Sequence, residues 1–401
     1  MGDKKNLTRG MYLERMLRAR GEDKIKIVTG LHCCGKSFLA ATMMKLVNDN
    51  ERSAKFIYID LGGLANESMR EQGVLGDYIR AHYERAAKNY LFIDEVEYCP
   101  DFVSFVLRLY ESRKFDIYIS SSNNFLSDEK TRETLDDKCV TLDVFPLSFA
   151  EYVASRNGGG ATLDEYAADG GMPGTLRFGT EGERMSYLRN IYHAFIERDI
   201  RERHAIKNFD IMHRLIMFLI DNIGISTSMK QISNIMKNAG VKTNHVTINN
   251  YIRYLLQSFL FYRCDRLDLR TGKVLESGSK FYIADTGLCH AMQGVRTGDE
   301  KKFHENIVYL ELLRRGYDVH VAKLYQKEID FIATRQGETS YYQMAGEGAD
   351  GVARAAKLLS GIRDNHKKFV IAETGKDEYI KDDIHFIDIE RFLSDGKEHG
   401  I

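Results

Sequence analysis

The sequence predicts an α/β protein in which a parallel sheet is followed by a helical segment, a three-helix module with a hairpin, and a second α/β domain. Two observations lead to this prediction. Residues 24–150 alternate short apolar runs with helix-length stretches, and residues 300–395 return to a mixed pattern of strands and helices. Between them, apolar residues recur mostly at helical spacing. The chain has 401 residues, which is enough for roughly two to four domains.

Five apolar runs rich in β-branched and aromatic residues predict the strands of the first sheet. They lie at residues 25–28, 56–60, 90–94, 117–120 and 140–144. Helix-length connections separate them, as is typical of a parallel sheet covered on both faces. Ligands of such sheets bind at the carboxyl ends of the strands, so the polar residues at these ends are the first candidates for a site.

A glycine-rich loop follows the first run directly and opens a helical stretch. It reads Gly30-Leu31-His32-Cys33-Cys34-Gly35-Lys36-Ser37, which is the pattern G-x-x-x-x-G-K-[ST] in the context that phosphate binding requires. The backbone N–H groups of the loop and helix start point at phosphates, Lys36 supplies a charge, and Ser37 offers a hydroxyl to Mg²⁺. The predicted ligand is ATP with Mg²⁺, bound by Gly30, Gly35, Lys36, Ser37 and Phe38.

Carboxylates and hydroxyls end the third and fourth predicted strands. Asp94 is expected to bind Mg²⁺, and Glu95 is suited to act as the general base that activates a water molecule. The alternative is a solvated strand end. In the run Ser120 to Asn124, Asn123 is our candidate for contacting the terminal phosphate or the water, with an ordinary Ser- and Asn-rich turn as the alternative.

The order of these parts resembles the AAA+ class of P-loop ATPases. Over nearly the whole chain it is similar to a bacterial and archaeal group of predicted AAA+ ATPases whose C-terminal half contains a domain of unknown function. The similarity lies in residues 27–37, 92–97, 122–123, 145–149, 170–173, 198–200, 282–288, 305–312 and 328–331. The resemblance implies a P-loop NTPase parallel sheet with a helical lid, and ATP hydrolysis.

Two departures from that group affect the expected activity. His32 and Cys33 replace basic residues of the loop, and Asp137-Lys138 replaces a Gly-Arg pair. Lys138 cannot form the bidentate fork of an arginine acting on a neighbour's nucleotide, and Arg132 is only close in sequence, so we expect slow hydrolysis. Oxidation of Cys33 and Cys34 could block ATP, but two small side chains tolerated in the loop are the favoured explanation of the pair.

The middle of the chain predicts a winged helix-turn-helix, which the resemblance also implies. Three apolar stripes at helical spacing, within residues 211–219, 232–239 and 248–259, precede a hairpin around Gly272. Residues 228–273 contain eight basic and two acidic residues. Duplex DNA is therefore a candidate partner, and an unknown protein is the alternative because winged helices also dock proteins. The candidate DNA-binding residues are Lys242, Asn244, His245, Asn250, Arg253 and Lys273.

The last domain resembles the core of PD-(D/E)xK nucleases, a restriction-endonuclease-like α/β domain. The predicted order is helix 305–314, strands 319–322, 328–333 and 340–344, helix 352–364 and strand 368–372. Glu305 and Asp330 match two acidic positions, but Gln343 and Ala345 replace the Glu and Lys of the third strand. We therefore expect a nuclease-derived domain without nuclease activity, although the two acids can also be structural.

These segments divide the chain into an AAA+ core (1–145), a helical lid (146–204), a winged helix-turn-helix (205–287) and the nuclease-like domain (288–401). The net charge of −1 excludes a uniformly basic nucleic-acid coat. No stretch is apolar enough to predict a membrane span, so we expect a cytoplasmic protein. The six cysteines form no CxxC pattern and are expected to be reduced thiols.

Two functional hypotheses follow. In the first, the protein is a slow, Mg-dependent ATPase of AAA+ type that couples its nucleotide state to DNA or partner binding. In the second, it is a nucleotide-gated DNA-binding regulator or switch in which ATP stabilises one conformation and hydrolysis is incidental.

Overall fold

The computed structural model describes residues 9–156, 160–206, 209–241, 243–294, 300–325, 327–375 and 378–394. Two compact units make up the chain. The first runs to Pro146 and includes Gln257–Phe259, and the second comprises Leu147–Leu256 and the residues from Leu260 onward. Within the described residues, no helix combines the length and the apolar character needed to cross a membrane.

The first unit contains a five-stranded parallel sheet, as predicted. Its elements are α1 (Gly10–Arg18), β1 (Ile25–Thr29), α2 (Lys36–Asn50), β2 (Ala54–Asp60), α3 (Gln72–His82), β3 (Lys88–Asp94), α4 (Phe102–Glu111), β4 (Phe115–Ser121), α5 (Glu129–Leu135) and β5 (Cys139–Asp143). The strand order is β2-β3-β4-β1-β5. Isoleucines and leucines of the central strands form one buried core. All five strands therefore end at the same edge, where the predicted site residues lie.

The second unit begins with three helices that each start at a capping box. They are α6 (Phe149–Ser155), α7 (Leu163–Asp169) and α8 (Glu181–Phe195). Ser148, Thr162 and Thr180 each accept a hydrogen bond from a backbone N–H three residues on, and a glutamate there binds back. Residues 196–202 continue α8 as a π-helix. Residues 157–159, which include two glycines of the run Gly158–Gly160, lie outside the described residues.

Three further helices and a hairpin follow in the predicted order. They are α9 (Phe209–Asp221), α10 (Met229–Asn238), α11 (His245–Gln257), β6 (Phe261–Asp268) and β7 (Lys273–Ile283). Ser228 and Gln231 form a capping box at the start of α10. Ile248, Ile252 and Leu255 are buried on one side of α11, so the apolar stripe faces the interior.

The strands among the remaining elements join the hairpin in one mixed sheet. These elements are α12 (Thr286–Gln293), α13 (Glu300–Arg314), β8 (Asp318–Leu324), β9 (Lys327–Arg335), β10 (Glu338–Met344), α14 (Gly348–Leu359), β11 (Lys367–Ala372), β12 (Tyr379–Lys381), β13 (Ile384–Asp388) and α15 (Ile389–Ser394). The strand order is β12-β13-β11-β10-β9-β8-β6-β7. Because β6 pairs in parallel with β8, the hairpin predicted as a wing is also the edge of the eight-stranded sheet.

Candidate functional site

The glycine-rich loop lies between β1 and α2, and its glycines are required by its shape. Gly30 and Gly35 have φ angles of 147° and 108°, in a region that residues with a side chain rarely adopt. A Cβ atom at Gly30 would lie 2.1 Å from the carbonyl oxygen of Val144. The loop thus passes so close to the strand end that only glycine fits there.

Lys36 points into the loop, and its side chain is almost completely buried. Its Nζ donates hydrogen bonds to the carbonyl oxygens of Gly30 (2.9 Å) and Leu31 (3.1 Å) and to Ser122 Oγ (3.0 Å). These three acceptors satisfy a charge that would otherwise be costly to bury. The ammonium group is therefore held at the centre of the loop, where it can exchange carbonyl partners for phosphate oxygens.

Asp94 is buried at the end of β3 and is held by two hydroxyl groups. Tyr58 donates a hydrogen bond to Oδ2 (2.7 Å), and Ser120 donates one to Oδ1. The Tyr58 hydroxyl also hydrogen-bonds with Ser37. Burial, followed by the charge of Asp94, raises the pKa of Tyr58 well above its usual value. The two predicted Mg²⁺ ligands, Ser37 and Asp94, thus lie on either side of one tyrosine hydroxyl that the sequence did not indicate.

Glu95 follows β3 in a left-handed conformation, with φ 54°. Its Oε1 lies 2.8 Å from Nδ1 of His32 and 3.5 Å from Ser122 Oγ. A Cβ atom at Gly62 would lie 2.4 Å from its Oε2. Unusual backbone angles at non-glycine residues occur frequently in active sites, and here the angle accompanies a carboxylate that is directed toward the loop.

Ser122, rather than Asn123, contacts the charged groups of the site. Ser122 Oγ accepts a hydrogen bond from Lys36 and lies near Glu95. The structure shows hydrogen bonds of the Asn123 backbone, including two with the Ser121 hydroxyl. Ser120 lies on β4 and Ser122 directly follows its last residue, and both hydroxyls face the site. A contact of Asn123 with the terminal phosphate stays a prediction.

Comparison with known proteins places this site in a family. Residues 22–153 match the AAA domain family, and residues 160–299 match a domain of unknown function. An uncharacterized protein of Haemophilus influenzae is 31% identical over 378 residues, which cover 92% of this chain and 94% of that protein. The chain belongs to the family of that protein, and residues 22–153 are an AAA domain.

Two further comparisons found more distant similarities. An uncharacterized protein of Methanocaldococcus jannaschii is 25% identical over 329 residues, covering 77% of this chain and 72% of that protein. Among solved structures, a Walker-type ATPase of Pyrococcus abyssi is 14% identical with a TM-score of 0.51, covering 72% of this chain and 96% of that chain. The second likeness shows a shared fold.

Arg9 is a residue of the AAA domain's unit that sequence reasoning missed. Its side chain is completely buried, and its guanidinium donates to the carbonyl oxygens of Cys34 and Phe145, both at 2.6 Å. Charge-assisted bonds of this kind are stronger than neutral ones. Arg9 therefore fixes the loop to the segment after β5, but one arginine in a charged N-terminal segment carries no sequence signal for this role.

The adjacent cysteines of the loop differ in environment. Cys33 is exposed and has a φ angle of 63°, whereas Cys34 is completely buried. The Cys34 thiol donates to the carbonyl oxygen of Val144, and burial raises its pKa. Because the thiolate is the reactive form, Cys34 is the less reactive of the two. Cys33 remains the candidate for the redox hypothesis.

The predicted DNA-binding residues lie on or near α11 and on β7. Asn244 Oδ1 accepts a hydrogen bond from the Thr247 N–H at the helix start. The side chains of His245, Arg253 and Lys273 are exposed, Asn250 is half-buried, and the Arg253 guanidinium lies over the Tyr254 ring. Lys242 lies outside the described residues. The exposed members present three basic side chains to solvent.

The contact between His32 and Glu95 predicts a pH-dependent contribution to stability. Burial alone would lower the pKa of His32, but its hydrogen bonds to Cys33 and Glu95 outweigh burial and raise the pKa from 6.5 to about 9. The folded state then binds the proton more tightly than the unfolded chain. The resulting stabilisation is complete below the unfolded-state pKa and is lost as the pH rises through about 9.

Replacing His32 with glutamine should therefore lower the free energy of unfolding at about pH 6, and the difference from wild type should shrink by about pH 9.5. Chemical denaturation at the two pH values measures this. His82→Gln, a change of an exposed histidine on α3, is the control and should show no such pH dependence. A difference between wild type and His32→Gln that grows with pH would contradict the ion pair.

Proposed function

We propose that the chain is a cytoplasmic ATP-binding protein of AAA+ type that hydrolyses ATP slowly with Mg²⁺ and couples its nucleotide state to DNA or partner binding. The convergence of Lys36, Ser122 and Glu95 at the glycine-rich loop is the observation that carries this proposal. The Ser122 hydroxyl contacts both Lys36, a cation suited to bind phosphate, and Glu95, a carboxylate that can serve as a base.

The loop residues suit the phosphates of ATP. Backbone N–H groups of Gly30, Gly35 and Phe38 can donate to phosphate oxygens, and Lys36 can add its charge once its carbonyl bonds exchange. The oxygen atoms of Ser37 and Asp94 fit Mg²⁺, a hard cation that prefers oxygen ligands. When bound, Mg²⁺ would neutralise charge on the phosphates.

Glu95 is proposed to accept the proton of the attacking water. Its Oε1 is already engaged with His32 at 2.8 Å, so the base must leave or share this partner before it can act. Lys138, at the position of the family's Gly-Arg pair, donates its Nζ to the Thr134 carbonyl oxygen at 3.0 Å. Both observations support slow turnover.

The His32–Glu95 contact also supports the second hypothesis, a nucleotide-gated switch. A base held by a histidine favours ATP binding without rapid hydrolysis. Glu95→Gln distinguishes the hypotheses, because only the first requires turnover for the biological output.

DNA is proposed to bind the module from α9 to β7, as a winged helix-turn-helix. Of its basic side chains, Arg263 pairs with Asp265 and Arg266 with Glu328. The side chains of Lys230, Lys237, Arg253, Arg270 and Lys273 are exposed to solvent. This set supports a phosphate-binding surface.

The four-part division from AAA+ core to nuclease-like domain is likewise a proposal. The meander β8-β9-β10, with β11 parallel to β10, supports a restriction-endonuclease-like domain. Because Gln343 and Ala345 lie at the end of the third strand of that core, we propose that this domain does not cut DNA. It would serve as a binding or scaffold domain.

The DNA proposal predicts that Arg253→Gln combined with Lys273→Gln weakens duplex binding by about tenfold or more and lowers the salt dependence. Fluorescence anisotropy at several salt concentrations measures both. The charge-matched control is Lys357→Gln with Lys367→Gln, which changes two exposed lysines of the nuclease-like domain and should retain binding.

Equal losses in the two double variants, or no duplex affinity at low salt, would reject the DNA site. Coupling is tested by ATP turnover of the wild type with and without the same duplex. A rise in turnover supports coupling, and an unchanged rate directs the search to a protein partner.

A further inference from the structure

Three charged side chains meet inside the eight-stranded sheet. Lys280 extends from β7, Glu305 from α13 and Asp330 from β9. Lys280 Nζ lies 2.9 Å from Glu305 Oε1 and 3.3 Å from Asp330 Oδ1. The lysine side chain is only 6% exposed. The ammonium group thus lies between two carboxylates that belong to different elements of the fold.

Other donors also bind these carboxylates. Tyr282 donates its hydroxyl to Glu305 Oε1 at 2.7 Å. Asp330 Oδ2 accepts hydrogen bonds from the Met344 N–H at 2.9 Å and from the Gln343 side chain at 2.5 Å. A buried charged group is stable when such partners surround it. Each carboxylate therefore has at least one partner in the chain besides Lys280.

A divalent cation does not fit this arrangement. The ammonium group already stands between the two carboxylates, and a metal ion there would be repelled by it. Gln343 directs its amide N–H toward Asp330, where a metal-binding residue would direct an oxygen. Within the described ranges, no group of three or more His, Cys, Asp or Glu residues is arranged to hold a metal.

Moving the Lys280 side chain out of the cluster would be energetically costly. Lys280 lies on β7 at a position paired with Cys264 of β6, and withdrawing its Nζ would leave two carboxylates without their cation. Burial lowers the pKa of Lys280, but Asp330 and Glu305 outweigh burial and raise it above the usual value. The lysine is therefore charged at neutral pH.

We propose that Lys280 is a built-in cation that stands where a nuclease-like domain would hold its divalent metal, and that this cluster binds neither Mg²⁺ nor Mn²⁺. The inference rests on the proposed nuclease likeness only for the place where a metal is expected. The sequence indicated a lost cation at Ala345, and the structure supplies one from the hairpin instead. The ammonium group thereby offsets one of the two carboxylate charges without a metal.

The test measures Mn²⁺ binding without nucleotide, by calorimetry, in full-length protein carrying Asp94→Asn so that the AAA domain does not contribute a carboxylate. This parent should bind no Mn²⁺ that depends on Asp330. Adding Lys280→Met should create one Mn²⁺ site, which a further Asp330→Asn removes. Lys368→Met, a change of a buried lysine bonded to backbone carbonyls, is the control and should create none.

Two results would overturn the proposal. One is Mn²⁺ binding by the parent that Asp330→Asn abolishes, and the other is a folded Lys280→Met protein that gains no site. If Lys280→Met does not fold, the comparison of the parent with its Asp330→Asn variant still decides, and Lys280→Gln replaces the methionine variant. Absence of ATP turnover in the wild-type protein would contradict the proposed ATPase and would leave this result unchanged, since nucleotide is absent from the measurement.

Discussion

Replacing Glu95 with glutamine should lower the rate of ATP hydrolysis by about 100- to 10,000-fold while ATP still binds. The amide has nearly the same shape as the carboxylate but cannot take a proton from the attacking water. The contacts that orient the side chain, with His32 and Ser122, can form with the amide oxygen. Single-turnover kinetics with saturating ATP, together with nucleotide-binding titrations, separates the two effects.

Glu97→Gln is the matched control for this change. Glu97 lies two residues further along, and its Oε1 accepts the Ser122 N–H at 2.8 Å. Glutamine can still accept that hydrogen bond, so turnover should stay close to the wild-type rate. Equal losses in Glu95→Gln and Glu97→Gln would indicate that the carboxylates only maintain the local structure. An unchanged rate in Glu95→Gln would assign the base to another residue.

The sequence predicted the five strands of the AAA domain closely because each contains an apolar run, which is buried along most of β1, β3 and β4. Burial on both faces of a parallel sheet requires β-branched and aromatic residues, and the local pattern records that requirement. The parallel pairing of β6 with β8 was not predictable in the same way. It joins residues more than fifty positions apart, such as Arg266 and Val321, and local periodicity contains no information about such a pair.

The same distinction between local pattern and contacts of distant residues applies to the site. Residues of the glycine-rich loop could be predicted, because phosphate binding constrains eight consecutive positions. Tyr58, Gly62 and Arg9 could not, since their roles depend on strands and segments that meet only in the folded chain. The choice of Asn123 depended on its residue type and stays a prediction. The contacts of Ser122 with Lys36 and Glu95 depend on how the chain folds beyond the end of β4.

Replacing Lys36 with methionine should weaken ATP binding by about 100-fold or more. A hydrogen-bonded charge contributes about 1.5–3 kcal/mol, and Lys36 can offer more than one such bond to phosphate oxygens. Methionine retains most of the apolar stem, so the side chain should still fill the buried space that Lys36 occupies. Isothermal titration with ATP and Mg²⁺ measures the loss, and thermal unfolding shows whether the variant is folded.

Lys45→Met is the matched control, because Lys45 lies on the same helix, α2, with its side chain exposed. Both variants lose one positive charge from the same helix, so a general effect of net charge would weaken ATP binding equally in both. A larger loss of ATP binding in Lys36→Met than in Lys45→Met therefore indicates a direct contact between Lys36 and the phosphates. If Lys36→Met binds ATP as tightly as Lys45→Met, the three hydrogen bonds of Lys36 to Gly30, Leu31 and Ser122 are structural, and the glycine-rich loop binds phosphate through its backbone alone.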